Sequence, residues 1–258
     1  RINQIRVNLE RLRWYMHELQ GEYLLTDIAA FEVYWIQDGK IVWQKPVQVG
    51  KDYTETPVFK DEVEYIDFNP TWTVPPGIIR RSILPGLRKD AGYLGKRGFL
   101  LLTLDGKPVD PKTVDWNNIK GFPYLVRQPP GPDNALGRVK FMFPNPHFVF
   151  LHDTNHPELF NRDRRTFSSG CVRVKDPFEL AERLLRGQQG WDRAKIDAVV
   201  ESGKLTRVIL NKKMPIIIAY ITAVALTDEV SFRRDIYKRD PKVLAGLDGD
   251  FVIRQRDR

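Results

Sequence analysis

The apolar residues of this chain change period at Gly21, and that change bounds what it can fold into. Before it, Ile5, Leu9, Leu12, Met16 and Leu19 recur every three or four positions with Arg and Glu between them. That spacing predicts an amphipathic helix over 2–20, stopped by Gly21. After it, 22–26, 31–37 and 41–49 are rich in Val, Ile, Tyr and Trp, residues suited to a pleated, half-buried surface. Asp38-Gly39, between the second and third segments, is a two-residue hairpin signal. Thr56-Pro57 and Asn69-Pro70 mark turns around a further strand at 62–68.

Residues 71–136 read differently. Pro75-Pro76-Gly77 opens a basic helical stretch over 78–84 and 87–94, where Arg80, Arg81, Arg88, Lys89, Lys96 and Arg97 cluster. A short strand at 99–104, a turn at Asp105-Gly106 and the Pro-rich loop 128–132 follow. The stretch is expected to be a small helical subdomain inserted between two strands of the main sheet. Strands resume at 138–143, 148–152 and 172–174. Asp176-Pro177-Phe178-Glu179 is a helix start, ended by Gly187, and Asp192 caps a second helix ended by Gly203. Segments 206–210 and 215–226 are strand-like, and the charged tail from Asp240 is expected to be loose. The chain thus divides into an N-terminal helix and linker (1–21), a β-rich α+β body (22–70 and 137–239), an insertion (71–136) and a tail (240–258).

Hydrophobic residues make up 42% of the 258 and aromatics 11%, enough for a packed core and against global disorder. The longest apolar stretch, 214–226, is interrupted by Pro215 and Thr222 and is too short to span a membrane. The chain starts at Arg1 with no visible signal peptide, as expected of an excised piece or a mature fragment. Its net charge of +8 suits an anionic partner such as nucleic acid, anionic lipid or a carboxylate-rich polymer, and equally suits simple solubility. The single cysteine excludes an intrachain disulfide and a Cys-only zinc site.

That cysteine, Cys171, follows Ser168-Ser169-Gly170 and precedes Val172-Arg173-Val174. A thiol attacks carbonyls as thiolate, so it needs a base and a positive field. Acyl transfer also needs N–H donors aimed at the developing oxyanion. A tight small-residue turn can expose the sulfur and offer its own amides. Alternation along the strand leaving the turn puts Arg173 on the same face as Cys171, where a guanidinium can favour the thiolate or hold a substrate carboxylate. His152 ends an aromatic strand, on the same side as Phe148 and Phe150.

The pattern His152-Asp153-Thr154, a loop, then Ser169-Gly170-Cys171-Val172-Arg173 resembles the signature of the L,D-transpeptidase (YkuD-type) catalytic domain. The family often carries His before the Gly-Cys pair, where this chain has Ser169, and Gly or Ser after the base, where it has Asp153. Stretches 56–59, 69–76, 134–141, 143–145 and 231–237 are similar to the larger, YcbB-like members, which carry a capping subdomain inserted in the catalytic domain. The resemblance runs from about Asn8 to Asp240. It implies an L,D-transpeptidase-type β-sandwich with flanking helices, Cys171 as nucleophile, His152 as base, and an oxyanion turn at Ser169 and Gly170. It implies a backbone carbonyl after His152 that orients the imidazole, and substrate contacts from Phe150, Asp153, Thr154, Arg173, Trp72 and Tyr93. No cofactor and no metal are implied.

The implied reaction is formation of 3-3 peptidoglycan cross-links in the periplasm, through a thioester with a tetrapeptide stem donor. Peptidoglycan stem peptides are then the partners, and carbapenem-type inhibitors covalent ligands. L,D-carboxypeptidase or lipoprotein-attaching activity would use the same chemistry. Two other readings compete. His147, His152 and His156 lie within ten residues and could ligate a metal, but Asn155 and Pro157 break the helix a His-x-x-x-His pair needs, and no HExxH glutamate is present. A non-catalytic binder of cell wall or nucleic acid would use the basic face, yet the aromatics do not interleave with the basic residues as in nucleic-acid modules.

Overall fold

The computed structural model describes residues 1–16, 20–225 and 229–249. The strands are β1 (Glu22–Asp27), β2 (Glu32–Gln37), β3 (Lys40–Gly50), β4 (Phe59–Phe68), β5 (Trp72–Thr73), β6 (Leu100–Thr103), β7 (Tyr124–Gln128), β8 (Val139–Met142), β9 (Leu151–His152), β10 (Thr166–Ser168), β11 (Val172–Val174), β12 (Thr206–Ala219), β13 (Ala223–Ala225) and β14 (Val230–Phe232). Among the described residues nine of them form one mixed sheet, in the order β10-β3-β11-β9-β8-β4-β12-β1-β2. The β2–β3 hairpin, turning at Asp38-Gly39, pairs one end of this order with the other. The two layers expected of a sandwich are therefore joined through one continuous, curled sheet.

The sheet wraps one main core. Val33, Val47, Val63, Phe68, Val139, Phe141, Leu151, Val172 and Val174 pack there, and the helices Pro177–Leu184 and Arg193–Glu201 add Leu180, Ala181 and Ile196. Asp192 caps the second of these helices through the Lys195 amide at 2.7 Å, as expected. Asp176 does not cap the first. It lies at φ 49°, and its carboxylate accepts instead from Lys45 Nζ at 3.0 Å.

The N-terminal helix, Ile2–Met16, buries a different stripe from the one its apolar spacing predicts. Ile5 and Leu9 are exposed, 36% and 58%, while Asn8 and Arg11 are buried. The buried face carries Val7 and Tyr15 together with Asn8 and Arg11, and its polar members are held there because they meet unpaired backbone and a carboxylate. Gln4 donates to the Thr222 and Arg233 carbonyls at 2.7 and 2.8 Å. Asn8 exchanges hydrogen bonds with Thr222, and Arg11 Nη1 reaches Asp240 at 2.6 Å. Buried polar groups left without such partners each cost about 1–3 kcal/mol, comparable to the gain from burying one Leu. Leu19 lies outside the described residues, as do Leu226 and 250–258 of the tail.

Asp240 also overturns the expected loose tail. Asp240–Asp248 is a helix packed on the N-terminal one, with Asp240 held between Arg11 and Thr222. Its Asp-Pro start is the same signal that opens Pro177–Leu184.

The insertion is not simply helical. A helical run over 76–89, with a wide π turn at Ile79–Ile83, packs on a three-stranded sheet ordered β5-β7-β6. Val74, Ile83, Leu87, Leu94, Leu101, Trp116 and Val126 make a core of their own there. Leu94→Ala is expected to cost about 2–5 kcal/mol of local stability. Amide hydrogen exchange should then speed up across 72–128 and hold steady in β4, β8 and β12; equal acceleration in those strands would mean that the two cores melt as one.

Candidate active site

Sheet register assembles the site. Along β8, Val139 and Phe141 point into the core, so Lys140 and Met142 take the other face. Lys140 pairs with His152, His152 with Arg173, and Arg173 with Gln48. In the other direction Lys140 pairs with Asp67, and Asp67 with Arg207. Cross-strand partners share a face, so one polar row, Arg207-Asp67-Lys140-His152-Arg173-Gln48, crosses six strands. Cys171 stands one residue ahead of β11, its neighbour Val172 bonded to the Phe150 carbonyl at 3.0 Å. That makes Cys171 a diagonal neighbour of His152, within side-chain reach.

Above this face lies a cavity of about 1120 Å³. Asp67, Lys140, Phe150, Cys171 and Arg207 line its sheet side; Trp72, Ile79, Arg80, Leu84, Arg88 and Phe122 line the side of the insertion. Cys171 is half-buried, and its sulfur lies 3.8 Å from the Phe148 carbonyl oxygen.

The turn before the sulfur is built by Ser168. Its hydroxyl donates to the Cys171 carbonyl at 2.5 Å and accepts from the Gly170 amide at 3.1 Å. Thr56 donates to the Gly170 carbonyl at 2.9 Å. Gly170 sits at φ 118°, a backbone region that side-chain-bearing residues avoid. Ser169 is exposed and, among the described residues, takes part in no hydrogen bond. The Gly170 amide is already committed to Ser168, so it is not free to meet an oxyanion. Among the described residues neither the Ser169 nor the Cys171 amide has an acceptor, so both are open donors of the turn, and the Cys171 amide belongs to the residue that carries the sulfur.

His152 is buried, 3% exposed. Its Nδ1 meets the Asp153 carbonyl oxygen at 2.5 Å. A carbonyl only accepts, so Nδ1 carries the proton and Nε2 is left as the basic nitrogen. Burial, then the Arg173 charge, push the imidazole down to about 3, with Lys140 adding and the Asp153 and Leu136 carbonyls opposing. Burial pushes the Cys171 thiol up, opposed by the Phe150 amide and by the charges of Lys140 and Arg173. The resting pair is therefore a neutral thiol beside a neutral imidazole.

The model of the YkuD L,D-transpeptidase catalytic domain family matches residues 21–209. The chain belongs to that family. A Haemophilus influenzae protein described as a candidate L,D-transpeptidase is 33% identical over 251 residues, a match that covers 96% of this chain and 50% of that protein. The chain thus spans about half the length of this curated relative. Among solved structures, an L,D-transpeptidase from Mycobacterium smegmatis aligns at 13% identity and TM-score 0.33, over 77% of this chain and 59% of that one. The catalytic domain of an E. faecium L,D-transpeptidase acylated by ertapenem aligns at 12% and 0.34, over 78% and 98%.

Within this site the sequence-predicted residues divide. Cys171, Phe150 and Trp72 line the cavity. Tyr93 does not: its ring packs on Gly86 and under Arg97, inside the insertion. Thr154 Oγ1 accepts from the His156 amide at 3.0 Å and is buried. The Asp153 carboxylate accepts from the Arg138 amide at 2.8 Å and presses on Gly137, where any Cβ would fall 2.4 Å from it. Asp153 thus meets His152 through its carbonyl, while its side chain is engaged by the Arg138 amide. Arg173 donates to Gln48 at 3.2 Å, beside the pair and off the cavity wall. Phe148 leaves the expected strand at φ 55° and stands 74% exposed at the cavity rim. The three histidines are not gathered: His147 packs on Phe59 with ring centroids 5.1 Å apart, and His156 pairs with Glu158.

Lys140, Asp67, Arg207 and Ser168 carry site geometry that sequence reasoning did not single out. Alternation of Val139, Phe141 and Phe143 marks Lys140 as facing away from the core, but only pairing shows which strands flank it. Ser168→Ala is expected to cost about 1–3 kcal/mol in denaturant melts, since it strands the Gly170 amide and the Cys171 carbonyl. Ser169→Ala should stay within about 0.5 kcal/mol; equal losses would discard the assignment of the turn to Ser168.

The His152 imidazole should show no protonation step between pH 5 and 8 in histidine NMR titration. Its folded value lies below the unfolded one of about 6.5. The unfolded chain therefore binds more protons in between, and the contribution of His152 to stability is full above about 6.5 and lost as pH falls toward 3. An inflection near 6.5 assigned to His152 would contradict the burial argument.

Proposed function

We propose that this L,D-transpeptidase domain acts by cysteine acyl transfer on peptidoglycan stem peptides, with Cys171 as nucleophile and His152 as base. The observation that supports it best is a neutral, tautomer-fixed imidazole placed diagonally to the sulfur on a cavity wall. As Cys171 Sγ attacks the carbonyl of the third stem residue, Nε2 of His152 takes the thiol proton. The Cys171 amide receives the oxyanion. The bond to the terminal D-Ala nitrogen breaks, and the proton passes from the imidazolium to that leaving amine. The thioester is then opened by the side-chain amine of a second stem. The new C–N bond joins two third residues, the C–S bond breaks, and His152 takes the surplus amine proton.

The charge of the cavity supports an anionic peptide. Arg80, Arg88, Lys140 and Arg207 line it, against Asp67 as the one acid among the described lining residues. A tetrapeptide stem carries several carboxylates and few amines, so it fits this balance. The insertion, which roofs the cavity with Trp72, Arg80 and Arg88, acts as the capping subdomain of a YcbB-like member. The compartment is the periplasm, where the substrate polymer lies. A carbapenem, whose strained amide imitates the acyl donor, acylates the same sulfur.

Mass spectrometry after incubation with a disaccharide tetrapeptide tests the mechanism. The wild type is expected to gain the donor less D-Ala, and Cys171→Ala to gain nothing. His152→Ala should slow adduct formation by about 10²-fold or more. A full-mass adduct on Cys171→Ala would refute Cys171 as the nucleophile, and the released products distinguish cross-linking from hydrolysis.

A further inference from the structure

Lys140 is a half-buried cation whose part in the chemistry at the sulfur the reaction described above leaves open. Its position in β8 fixes it on the site face, in register with His152 on one side and Asp67 on the other. Asp67 is already engaged: both of its oxygens accept from Arg207, at 2.8 and 2.9 Å. Among the described residues the Lys140 ammonium makes neither an ion pair nor a hydrogen bond. It rests on the face of the Phe150 ring, 3.8 Å from the centroid, and opens on the same cavity as Cys171.

A half-buried ammonium needs a compensating charge, and the ring supplies only part of it. Of the other charged groups around the sulfur, Arg173 is the one that also lacks a full partner, its Nε being buried without a hydrogen bond. Arg173, on the strand that follows Cys171, is tied to Gln48. His152, on β9, is neutral, and Arg207 is spent on Asp67. Arg80 and Arg88 line the cavity from the insertion, and Glu158 acts on Arg173. The anion that Lys140 lacks is the one the nucleophile must become.

We propose that Lys140 is a positioning residue for Cys171, a cation held on the Phe150 ring so that its field favours the thiolate over the thiol. The proposal rests on Cys171 being the reactive group and goes beyond it by naming what offsets burial of the sulfur. The electrostatics agree. Of the two cations, Lys140 weighs first on the Cys171 sulfur and Arg173 first on the His152 imidazole. Burial in turn pulls the Lys140 ammonium below the usual lysine range, with Cys171 and Asp67 opposing. Lys140 thus eases formation of the thiolate, while Arg173 keeps the base unprotonated and ready.

The test reads the thiol itself. Rates of alkylation by iodoacetamide are measured against pH for the wild type, Lys140→Met, Lys140→Arg and Phe150→Leu, each checked for folding by circular dichroism. Lys140→Met is expected to raise the midpoint by about one pH unit, and Lys140→Arg to restore most of it. Phe150→Leu, which removes the platform and keeps the ammonium, should shift it by a smaller amount in the same direction. Superimposable profiles for Lys140→Met and wild type would overturn the proposal. An unchanged profile with a raised KM for the donor would make Lys140 a substrate anchor instead. Alkylation needs no stem peptide, so loss of the proposed substrate reading leaves this result standing.

Discussion

The site depends on one constraint, the register in which β8 and β9 pair, and β9 and β11 after them. With Lys140 opposite His152 and His152 opposite Arg173, every polar member of the row shares a face, and Val139, Phe141, Leu151, Val172 and Val174 share the buried one. A slip of one residue would drive the lysine, the histidine and the arginine into the core together. The hydrophobic face therefore does the positioning. Packing five apolar side chains fixes the relative height of the strands, and the chemistry on the opposite face inherits that precision.

Burial then sets conditions that the polar groups must answer. It lowers the proton affinity of His152 and raises that of Cys171, so the imidazole stays neutral and the thiol is harder to ionise. The second effect is offset locally, by the Phe150 amide and the two nearby cations. The first is sharpened by geometry, because the Asp153 carbonyl holds the proton on Nδ1 and Gly137 leaves room for the carboxylate that anchors it. The turn of Ser168 and Gly170 completes the arrangement, holding Cys171 at the cavity wall with its amide unbonded.

The insertion and the termini serve this centre from two sides. The insertion has its own core and contributes the apolar and basic wall opposite the sheet, so the cavity exists only between two separately packed bodies. At the far end of β12, Thr222, Asn8, Arg11 and Asp240 form a polar clamp that fastens the first and last helices to the sheet. Tyr237 joins that clamp to the site region: its hydroxyl bonds the Gly50 carbonyl at 2.5 Å, and Thr56, which holds Gly170, contacts the same hydroxyl through its amide at 3.4 Å.

By itself the sequence determined the β-rich body and the hairpin at Asp38-Gly39, and it singled out Cys171, His152 and the stretch after Asn69-Pro70. Each of these is written in local period, turn chemistry or a short contiguous motif. It misjudged the first helix, where apolar spacing pointed to Ile5 and Leu9 while hydrogen-bond demand from Thr222 and Asp240 buried Asn8 and Arg11. It missed Lys140, Asp67 and Arg207, and it marked the Ser168-Ser169-Gly170 turn without showing that the Ser168 hydroxyl is the one that ties it. Most of those features are pairings between residues far apart along the chain, 140 positions for Asp67 and Arg207 and 229 for Arg11 and Asp240. Only the tertiary structure decided them, because a charged side chain on an alternating strand looks the same whether it faces solvent or a cysteine until the neighbouring strand is known.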